Sequence, residues 1–241
     1  MTQRSPAEVI SDNLRQIHQE IADACERSGR NTDSVRLVAV TKYAELPWIE
    51  ALSSQHRIFG ENRPQQLAER KSLWPHIEWH LIGQLQRNKV SLACRNASLI
   101  HSVDSLRLLQ DIAARGASSG RSTDVLLQVN VSGESSKSGF APDELRHSWG
   151  EILNLSRQVP IRGLMTMAPE SEDPEEARPV FRNLRLLREE LHSLPETARY
   201  AIDLSELSMG MSGDFVPAVE EGSTLVRIGS RIFQGLSGEN S

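Results

Sequence analysis

Lys42 is the residue with the clearest chemical potential in this sequence. It follows an apolar run at 37–41, a pattern that predicts an amine projecting from the end of a buried strand into a cleft. Partial burial lowers the pKa of a lysine toward the range in which the free amine is a nucleophile, as Schiff-base chemistry requires. The alternative is a strand-end lysine whose amine extends into solvent.

Small residues near the C-terminus form a second candidate site. The segment 207–215 contains Gly210, Ser212 and Gly213, and Gly229 with Ser230 closes a second such segment. Residues this small let backbone N–H groups approach an anion closely. They therefore indicate a phosphate site, although the sequence contains no nucleotide-binding fingerprint.

Arg227 lies two residues before Gly229, so the two residues share one face of an extended strand. A guanidinium there points into the protein interior or toward a ligand, and its burial is costly unless acceptors meet its N–H groups. We therefore expect either a ligand or a neighbouring carboxylate beside Arg227.

The histidine-containing segment 76–80 does not predict a metal site. It follows Pro75 and has the pattern of a strand, which places His76 and His80 too far apart to chelate one ion easily. The histidines and serines also lack the order of a hydrolytic triad or a nucleophile elbow. The sequence thus predicts neither a metal ion nor hydrolytic catalysis.

Hydrophobic patterning indicates the elements that position these residues. Ser5 and Glu8 form a capping box that opens an N-terminal helix, and the segment 174–191 has the apolar spacing of an amphipathic helix. Strand-like segments alternate with helical ones and span 36–41, 57–61, 79–82, 98–103, 124–131, 161–167, 204–207 and 224–229. Repeated βα units of this number predict an α/β protein, a single (β/α)8 TIM-type barrel domain over 1–241 with an extra N-terminal helix. An open doubly wound sheet is the alternative, because periodicity does not show closure.

A barrel would bring the candidate residues together, since barrel active sites lie at the carboxyl ends of the strands. Lys42 and Asn62 follow the first two predicted strands, and Ser212 and Ser230 follow the last two. Lys137, in the segment 132–139 after the fifth strand, would lie on the same face. We expect that segment to be a flexible loop.

Composition limits the classes of function. The chain has 241 residues with 27 basic and 32 acidic side chains, a formal charge of -5, so attraction to nucleic acid or to an anionic membrane is not expected. The sequence contains neither a secretory signal nor an apolar stretch long enough to span a bilayer. Cys25 and Cys94 lack the spacing of a disulfide or zinc framework. We expect a cytoplasmic protein.

Seven segments together resemble, in order and in spacing, the pyridoxal phosphate homeostasis family, also called proline-synthetase co-transcribed proteins. The segments are 38–42 (VAVTK), 59–66 (FGENRPQQ), 79–89 (WHLIGQLQRNK), 100–105 (IHSVDS), 161–169 (IRGLMTMAP), 207–215 (LSMGMSGDF) and 226–230 (VRIGS). The resemblance extends from Leu37 to Phe233. It implies a barrel like the N-terminal domain of alanine racemase that carries pyridoxal 5′-phosphate (PLP).

The resemblance also implies roles for individual residues. Lys42 would hold PLP as a Schiff base, Asn62 would lie beside the ring, and Arg227 would face the pyridine nitrogen. An arginine that keeps this nitrogen unprotonated makes the ring a weaker electron sink, so carbanion chemistry is less favoured. The residues implied to hold the phosphate are Ser212, Gly229 and Ser230.

Other positions are less regular. His80 is a further candidate for lining the cavity. Arg63-Pro64 replaces the commoner Tyr-Val after the second strand, and Arg63 is expected to change the cavity mouth. Ser230 stands where the family usually has threonine, which retains the hydroxyl for phosphate binding.

Three functions are compatible with the resemblance. The first is a carrier that binds and buffers PLP for PLP-dependent apoenzymes and has no catalytic residue of its own. The second is a PLP-dependent amino-acid racemase, which needs a further catalytic group, usually a tyrosine from an additional C-terminal domain. This sequence ends soon after its last predicted strand, and Tyr43 is expected on the opposite side of the strand from Lys42. The third is an interaction scaffold that has lost the cofactor; the presence of Lys42, Asn62, Arg227 and Ser212 argues against it. We expect a monomeric carrier.

Overall fold

In the computed structural model, eight parallel strands close into a barrel. The structure describes residues 4–120, 122–134, 137–200 and 202–236. The strands are β1 Arg36–Val40, β2 Ile58–Glu61, β3 Glu78–Leu81, β4 Leu99–Val103, β5 Asp124–Gln128, β6 Ile161–Met165, β7 Glu206–Met211 and β8 Leu225–Ile228. Each strand pairs with the next, and β8 pairs with β1 from Leu225 opposite Arg36 to Ile228 opposite Ala39. This closure confirms the predicted barrel and excludes the open sheet.

Helices pack around the outside of the barrel. They are α1 Pro6–Arg27, α2 Leu46–Ser53, α3 Pro64–Leu73, α4 Val90–Asn96, α5 Leu106–Ser119, α6 Pro142–His147, α7 Trp149–Leu155, α8 Arg178–Ser193, α9 Pro195–Arg199 and α10 Phe215–Glu220. Short 3-10 helices lie at Thr32–Ser34, Arg87–Lys89 and Pro174–Ala177. Among the described residues, no helix has both the length and the apolar character needed to cross a membrane.

Helix α1 precedes the barrel, as the sequence predicts. Its capping box is formed on both sides: the Glu8 N–H donates to the Ser5 hydroxyl at 3.3 Å, and the Ser5 N–H donates to the Glu8 carboxylate at 2.8 Å. The helix buries an apolar stripe that includes Ile10 and Ile17 and packs against α2 and α10.

The alternation of strand side chains separates two apolar cores. The outer core, between the sheet and the helices, contains strand residues such as Phe59 and Trp79. The core inside the barrel contains Val38, Leu99, Leu126, Met165 and Leu225. Two residues further along three of these strands, on the same inward side, the side chains are polar: His101, Gln128 and Arg227. The change from apolar to polar marks where the core ends and the site begins.

All eight predicted strands occur, and the extents of two of them differ most from the prediction. Strand β7 was expected at 204–207, but it runs to Met211, and its pairing with β8 shifts register between Ser208 and Met211. The register shift occurs at Gly210, whose φ of 91° is one that glycine adopts readily. Because small residues around Gly210 are typical of a loop, the sequence does not predict that the strand continues through this segment. Strand β5 ends at Gln128 rather than at 131, because the chain beyond it bridges to Phe140.

The predicted helix at 174–191 also begins differently. Residues Pro174–Ala177 form a 3-10 turn, and the α-helix proper is α8, which has Pro179 in its first turn. Proline lacks the N–H that a preceding α-helical turn would require, which explains the boundary.

Candidate functional site

A cavity of about 1050 Å³ lies at the carboxyl ends of the strands. It is lined by all six residues that the resemblance implies as cofactor ligands: Lys42, Asn62, Ser212, Arg227, Gly229 and Ser230. Their joint position follows from the closed barrel, which brings the ends of β7 and β8 beside those of β1 and β2. Arg63 is not among the lining residues; it is exposed and precedes α3.

Lys42 lies in a turn just beyond β1. The turn is closed by the Ala44 N–H, which donates to the Thr41 carbonyl at 2.8 Å. The Lys42 side chain is half-buried, and its Nζ lies 4.9 Å from the centroid of the Tyr43 ring. The prediction that Tyr43 points away from Lys42 is therefore wrong. Strand β1 ends at Val40, and a turn does not alternate its side chains as a strand does.

A buried ion pair holds this turn, and we call Thr41, Ala44, Glu61 and Arg70 the Lys42 clamp. The Arg70 guanidinium donates to the Thr41 carbonyl at 2.6 Å and to the Ala44 carbonyl at 3.1 Å, one on each side of Lys42. Arg70 also pairs with the Glu61 carboxylate, which accepts the Thr41 hydroxyl as well. Burial raises the pKa of Glu61, and these contacts oppose the rise. The clamp fixes the backbone from which the Lys42 amine emerges.

The ends of β7 and β8 form a surface suited to an anion. The Gly229 N–H donates to the Ser212 hydroxyl at 3.3 Å, which joins the two loops. Gly229 lies so close to β1 that a Cβ there would come within 3.0 Å of the Val40 carbonyl oxygen. Among the described residues, the N–H groups of Gly213 and Ser230 have no hydrogen-bond partner. Free N–H groups beside small side chains are the usual setting for a bound oxyanion.

Arg227 reaches the cavity from inside the barrel, where its side chain is buried. Its guanidinium donates to the Ser208 hydroxyl at 2.5 Å and to the Thr166 carbonyl at 3.0 Å. Burial lowers the pKa of Arg227 to about 10, and the carboxylate of Asp214 opposes that shift. Arg227 is thus a cation at neutral pH, held by neutral partners, with further N–H groups left for a ligand.

Hydrogen bonds continue from Arg227 through the barrel interior, and we call Glu78, His80, His101, Ser208 and Arg227 the Arg227 chain. Ser208 Oγ lies 2.8 Å from His101 Nδ1, and His101 Nε2 lies 3.0 Å from His80 Nδ1. His80 Nε2 lies 2.8 Å from Glu78 Oε1. The expectation that His80 lines the cavity is wrong, because it lies behind Arg227, with His101 and Ser208 between them.

Sequence reasoning gave no role to His101 or to Arg70. The signal for His101 is a polar residue at an inward position of a strand, two residues after the apolar Leu99. Arg70 carries no comparable signal, because it lies in a helix with several other polar residues. Only the fold shows that this one arginine turns inward.

Lys137 also lines the cavity, as expected from its place after β5. Its Nζ lies 2.6 Å from the Glu134 carboxylate. The Asn130 side-chain amide donates to the carbonyls of Glu134 and Lys137, at 2.8 and 3.2 Å. These bonds fold the segment predicted as a flexible loop back onto the strand end; residues 135 and 136 lie outside the described residues.

Comparison with known proteins gives the family. The family model described as "Alanine racemase, N-terminal domain" matches residues 13–236. A protein of Aquifex aeolicus named pyridoxal phosphate homeostasis protein is 39% identical over 225 residues, which cover 92% of this chain and 96% of the relative. The chain belongs to the pyridoxal phosphate homeostasis protein family. The resemblance found in the sequence motifs is thereby confirmed.

Solved structures share the barrel of this family. PipY of Synechococcus elongatus, in a structure with PLP bound, matches at a TM-score of 0.76 and 36% identity over 90% of this chain and 99% of PipY. An alanine racemase of Clostridium difficile matches at a TM-score of 0.72 over 95% of this chain and 58% of the racemase. At 15% identity, the racemase supports the fold alone.

Proposed function

We propose that this member of the pyridoxal phosphate homeostasis protein family binds PLP in the cavity and carries or buffers it, rather than using it in catalysis. The observation that carries the proposal is the meeting, in one cavity, of a half-buried amine, a buried guanidinium and unpaired backbone N–H groups. These groups match the aldehyde, the ring nitrogen and the phosphate of PLP. The name of the Aquifex aeolicus relative and the PLP in the PipY structure support the same assignment.

Each group of the cavity has a defined part in the proposed binding. The Lys42 amine condenses with the aldehyde to a Schiff base and releases one water. Arg227 donates to the pyridine nitrogen, because a guanidinium has no acceptor. Bound PLP supplies an electron sink, which is weaker when its ring nitrogen only accepts a hydrogen bond. The remaining proposed contacts are Asn62 at the ring and Ser212, Gly229 and Ser230 at the phosphate.

The cavity favours a carrier over a racemase. A racemase needs a second proton-transferring group facing the lysine, and a tyrosine is the usual choice. The sequence has two tyrosines. Tyr43 lies beside Lys42 and is 87% exposed, and Tyr200 donates to Asn154 on the outside of the barrel. Neither tyrosine faces Lys42 across the cavity, and the exposure around Tyr43 leaves the site open for exchange of the cofactor.

Covalent labelling tests the proposed site. The protein is incubated with PLP, reduced with borohydride and digested, and the phosphopyridoxyl group is located by peptide mass. The sequence has four lysines, of which Lys42 and Lys137 line the cavity. We expect stoichiometric label on Lys42, lost in Lys42→Ala and retained in Lys89→Ala, a matched variant outside the cavity. A folded protein without label on Lys42 would contradict the proposal.

Two assays separate carrier from enzyme. Transfer is measured as the activity gained by a PLP-dependent apoenzyme mixed with the loaded protein, with an excess of PLP scavenger present. We expect transfer and only trace racemisation of amino acids, equal in wild type and Lys42→Ala. Robust racemisation that disappears in Lys42→Ala would make the racemase the better assignment.

Two finer expectations belong to the same proposal. We propose that the carrier acts as a monomer in the cytoplasm and that PLP-dependent apoenzymes are its partners. Light scattering during size-exclusion chromatography measures the mass of the loaded protein, and 26.9 kDa is the value for a monomer. Twice that mass would contradict the monomer.

A further inference from the structure

The Arg227 chain has one direction, which its cavity end favours. A guanidinium only donates, so the Ser208 oxygen accepts from Arg227. The hydroxyl hydrogen of Ser208 is then donated to His101 Nδ1, its other polar contact among the described residues. A ring nitrogen that accepts carries no hydrogen, so the neutral His101 ring carries its hydrogen on Nε2.

The far end of the chain gives the same direction independently. The hydrogen bond with His80 lowers the pKa of Glu78 and thus favours the carboxylate, which only accepts. His80 therefore carries a hydrogen on Nε2. If the ring is neutral, its Nδ1 accepts from the Nε2–H of His101 at 3.0 Å. The two ends agree, and each ring nitrogen of His80 and His101 has a partner of the right kind.

Burial explains why His101 stays neutral. His80 and His101 have no exposed surface. Burial, together with the nearby His80, Arg227 and Arg36, holds the pKa of His101 well below its ordinary value. A charged imidazole at this place would stand beside the Arg227 cation, whereas a neutral one passes on the direction of the hydrogen bonds without adding charge.

We propose that His80, His101 and Ser208 are positioning residues for Arg227, and that through them Glu78 orients the guanidinium at the opposite end of the barrel. Glu78 begins β3 and is 45% exposed, whereas Arg227 lines the cavity. Without the Glu78 carboxylate, the present direction leaves the buried Nε2–H of His80 with no acceptor among the described residues, whereas the reversed direction leaves only the Ser208 hydroxyl hydrogen without one. Each later link then loses its defined direction, and Ser208 no longer holds one orientation beside Arg227.

The inference extends the proposed function, since the guanidinium it orients is the one assigned to the pyridine nitrogen. Its first test needs no cofactor. Long-range proton–nitrogen NMR spectra of the protein with nitrogen-15 histidine distinguish protonated from unprotonated ring nitrogens. We expect unprotonated Nδ1 and protonated Nε2 for both His80 and His101 at neutral pH, with mixed tautomers in Glu78→Leu.

A matched control removes another carboxylate from the same end of the barrel. Asp124 begins β5, pairs with Arg162 at 2.7 Å and touches no member of the Arg227 chain among the described residues. Asp124→Leu should therefore leave both histidine tautomers unchanged. A change equal to that in Glu78→Leu would show a general loss of charge or stability and would overturn the proposal.

The second test measures the hydrogen bond that Arg227 is proposed to donate to the ring nitrogen of PLP. With PLP labelled at the ring nitrogen, the nitrogen-15 shift reports the hydrogen bond that this nitrogen accepts. We expect the shift to move in Glu78→Leu and in Ser208→Ala but not in Asp124→Leu. Ser208→Ala should also weaken PLP binding about tenfold, the loss expected for one hydrogen bond to a charged group.

The two tests fail in different ways. Protonated Nδ1 on either ring, or spectra unchanged in Glu78→Leu, would overturn the inference whatever happens to PLP. Unchanged shifts at the PLP nitrogen in both Glu78→Leu and Ser208→Ala would overturn the coupling to Arg227. If the wild-type protein binds no PLP, the proposed function fails, while the histidine spectra still decide the direction of the chain.

Discussion

Two polar assemblies support Lys42 and Arg227 of the cavity, and they are built differently. In the Lys42 clamp the opposite charges of Glu61 and Arg70 touch. In the Arg227 chain His80, His101 and Ser208 separate the charges of Glu78 and Arg227. Removing one member of a touching buried pair leaves an unpaired charge, whereas removing a neutral link leaves only an unsatisfied polar group. The clamp should therefore govern folding, and the chain should govern how the cavity presents its guanidinium.

The largest effect is expected from breaking the clamp. Arg70→Met leaves the Glu61 carboxylate buried without its partner and removes the donor to the Thr41 and Ala44 carbonyls. We expect the free energy of unfolding in urea to fall by about 3–5 kcal/mol, the cost of breaking a buried ion pair. The exposed Arg107 of α5 provides the control, and Arg107→Met should change the free energy of unfolding by less than about 0.5 kcal/mol. If the two variants lost equal free energy of unfolding, the clamp would contribute no more to stability than an exposed arginine does.

A double variant sharpens the comparison by separating charge from positioning. Glu61→Leu combined with Arg70→Met removes both charges, and apolar replacement of a buried pair is often neutral for stability. We expect most of the lost free energy of unfolding to return. PLP binding should be weaker in both the single and the double variant than in wild type, because the carbonyls on either side of Lys42 lack their donor in both. Recovery of both properties would mean that the clamp acts through stability alone.

The same contrast explains how far the sequence predicts the molecule. The barrel is predictable because its strands are apolar runs of regular spacing, and the residues that follow them, such as Lys42 and Asn62, must meet at one end. The partners of these residues are not predictable, because Arg70 lies in a polar helix and its inward direction depends on the packing of α3 on the sheet. The second half of β7 is also not predictable from the sequence, because it contains Gly210, whose backbone conformation is typical of a turn and not of a strand.

A smaller effect is expected from the pH dependence of stability. The pKa of His101 lies well below its ordinary value in the folded protein, whereas the unfolded chain binds a proton at about pH 6.5. The unfolded state therefore binds more protons below that pH, so this contribution is fully present above about pH 6.5 and is lost as the pH falls. The charged or titratable groups that act on His101 are His80, Arg227 and Arg36.

His101→Met tests this dependence by difference. Urea unfolding of both proteins is measured from pH 7 to pH 5. Below about pH 6.5, wild type should lose up to about 1.4 kcal/mol per pH unit more than the variant, the limit for one titrating group. His18 and His56, whose pKa values are lowered by burial, contribute to both proteins and cancel. Parallel pH profiles would show that His101 is not kept neutral by folding.

The smallest effect is expected where an ion pair touches without burial. Arg146 pairs with Glu190 through two hydrogen bonds of 2.7 Å, yet both side chains are at least 40% exposed. Arg146→Ala should lower the free energy of unfolding by no more than about 1 kcal/mol, and added salt should reduce the difference, because exposed pairs are screened by solvent. The charges touch both in this pair and in Glu61–Arg70. A much larger loss in free energy of unfolding for Arg70→Met than for Arg146→Ala would therefore show that burial makes the clamp important for stability. If Arg146→Ala and Arg70→Met lower the free energy of unfolding equally, contact between the charges, and not their burial, would set the loss. The clamp and the chain would then differ only in that the charges touch in the clamp and are separated in the chain.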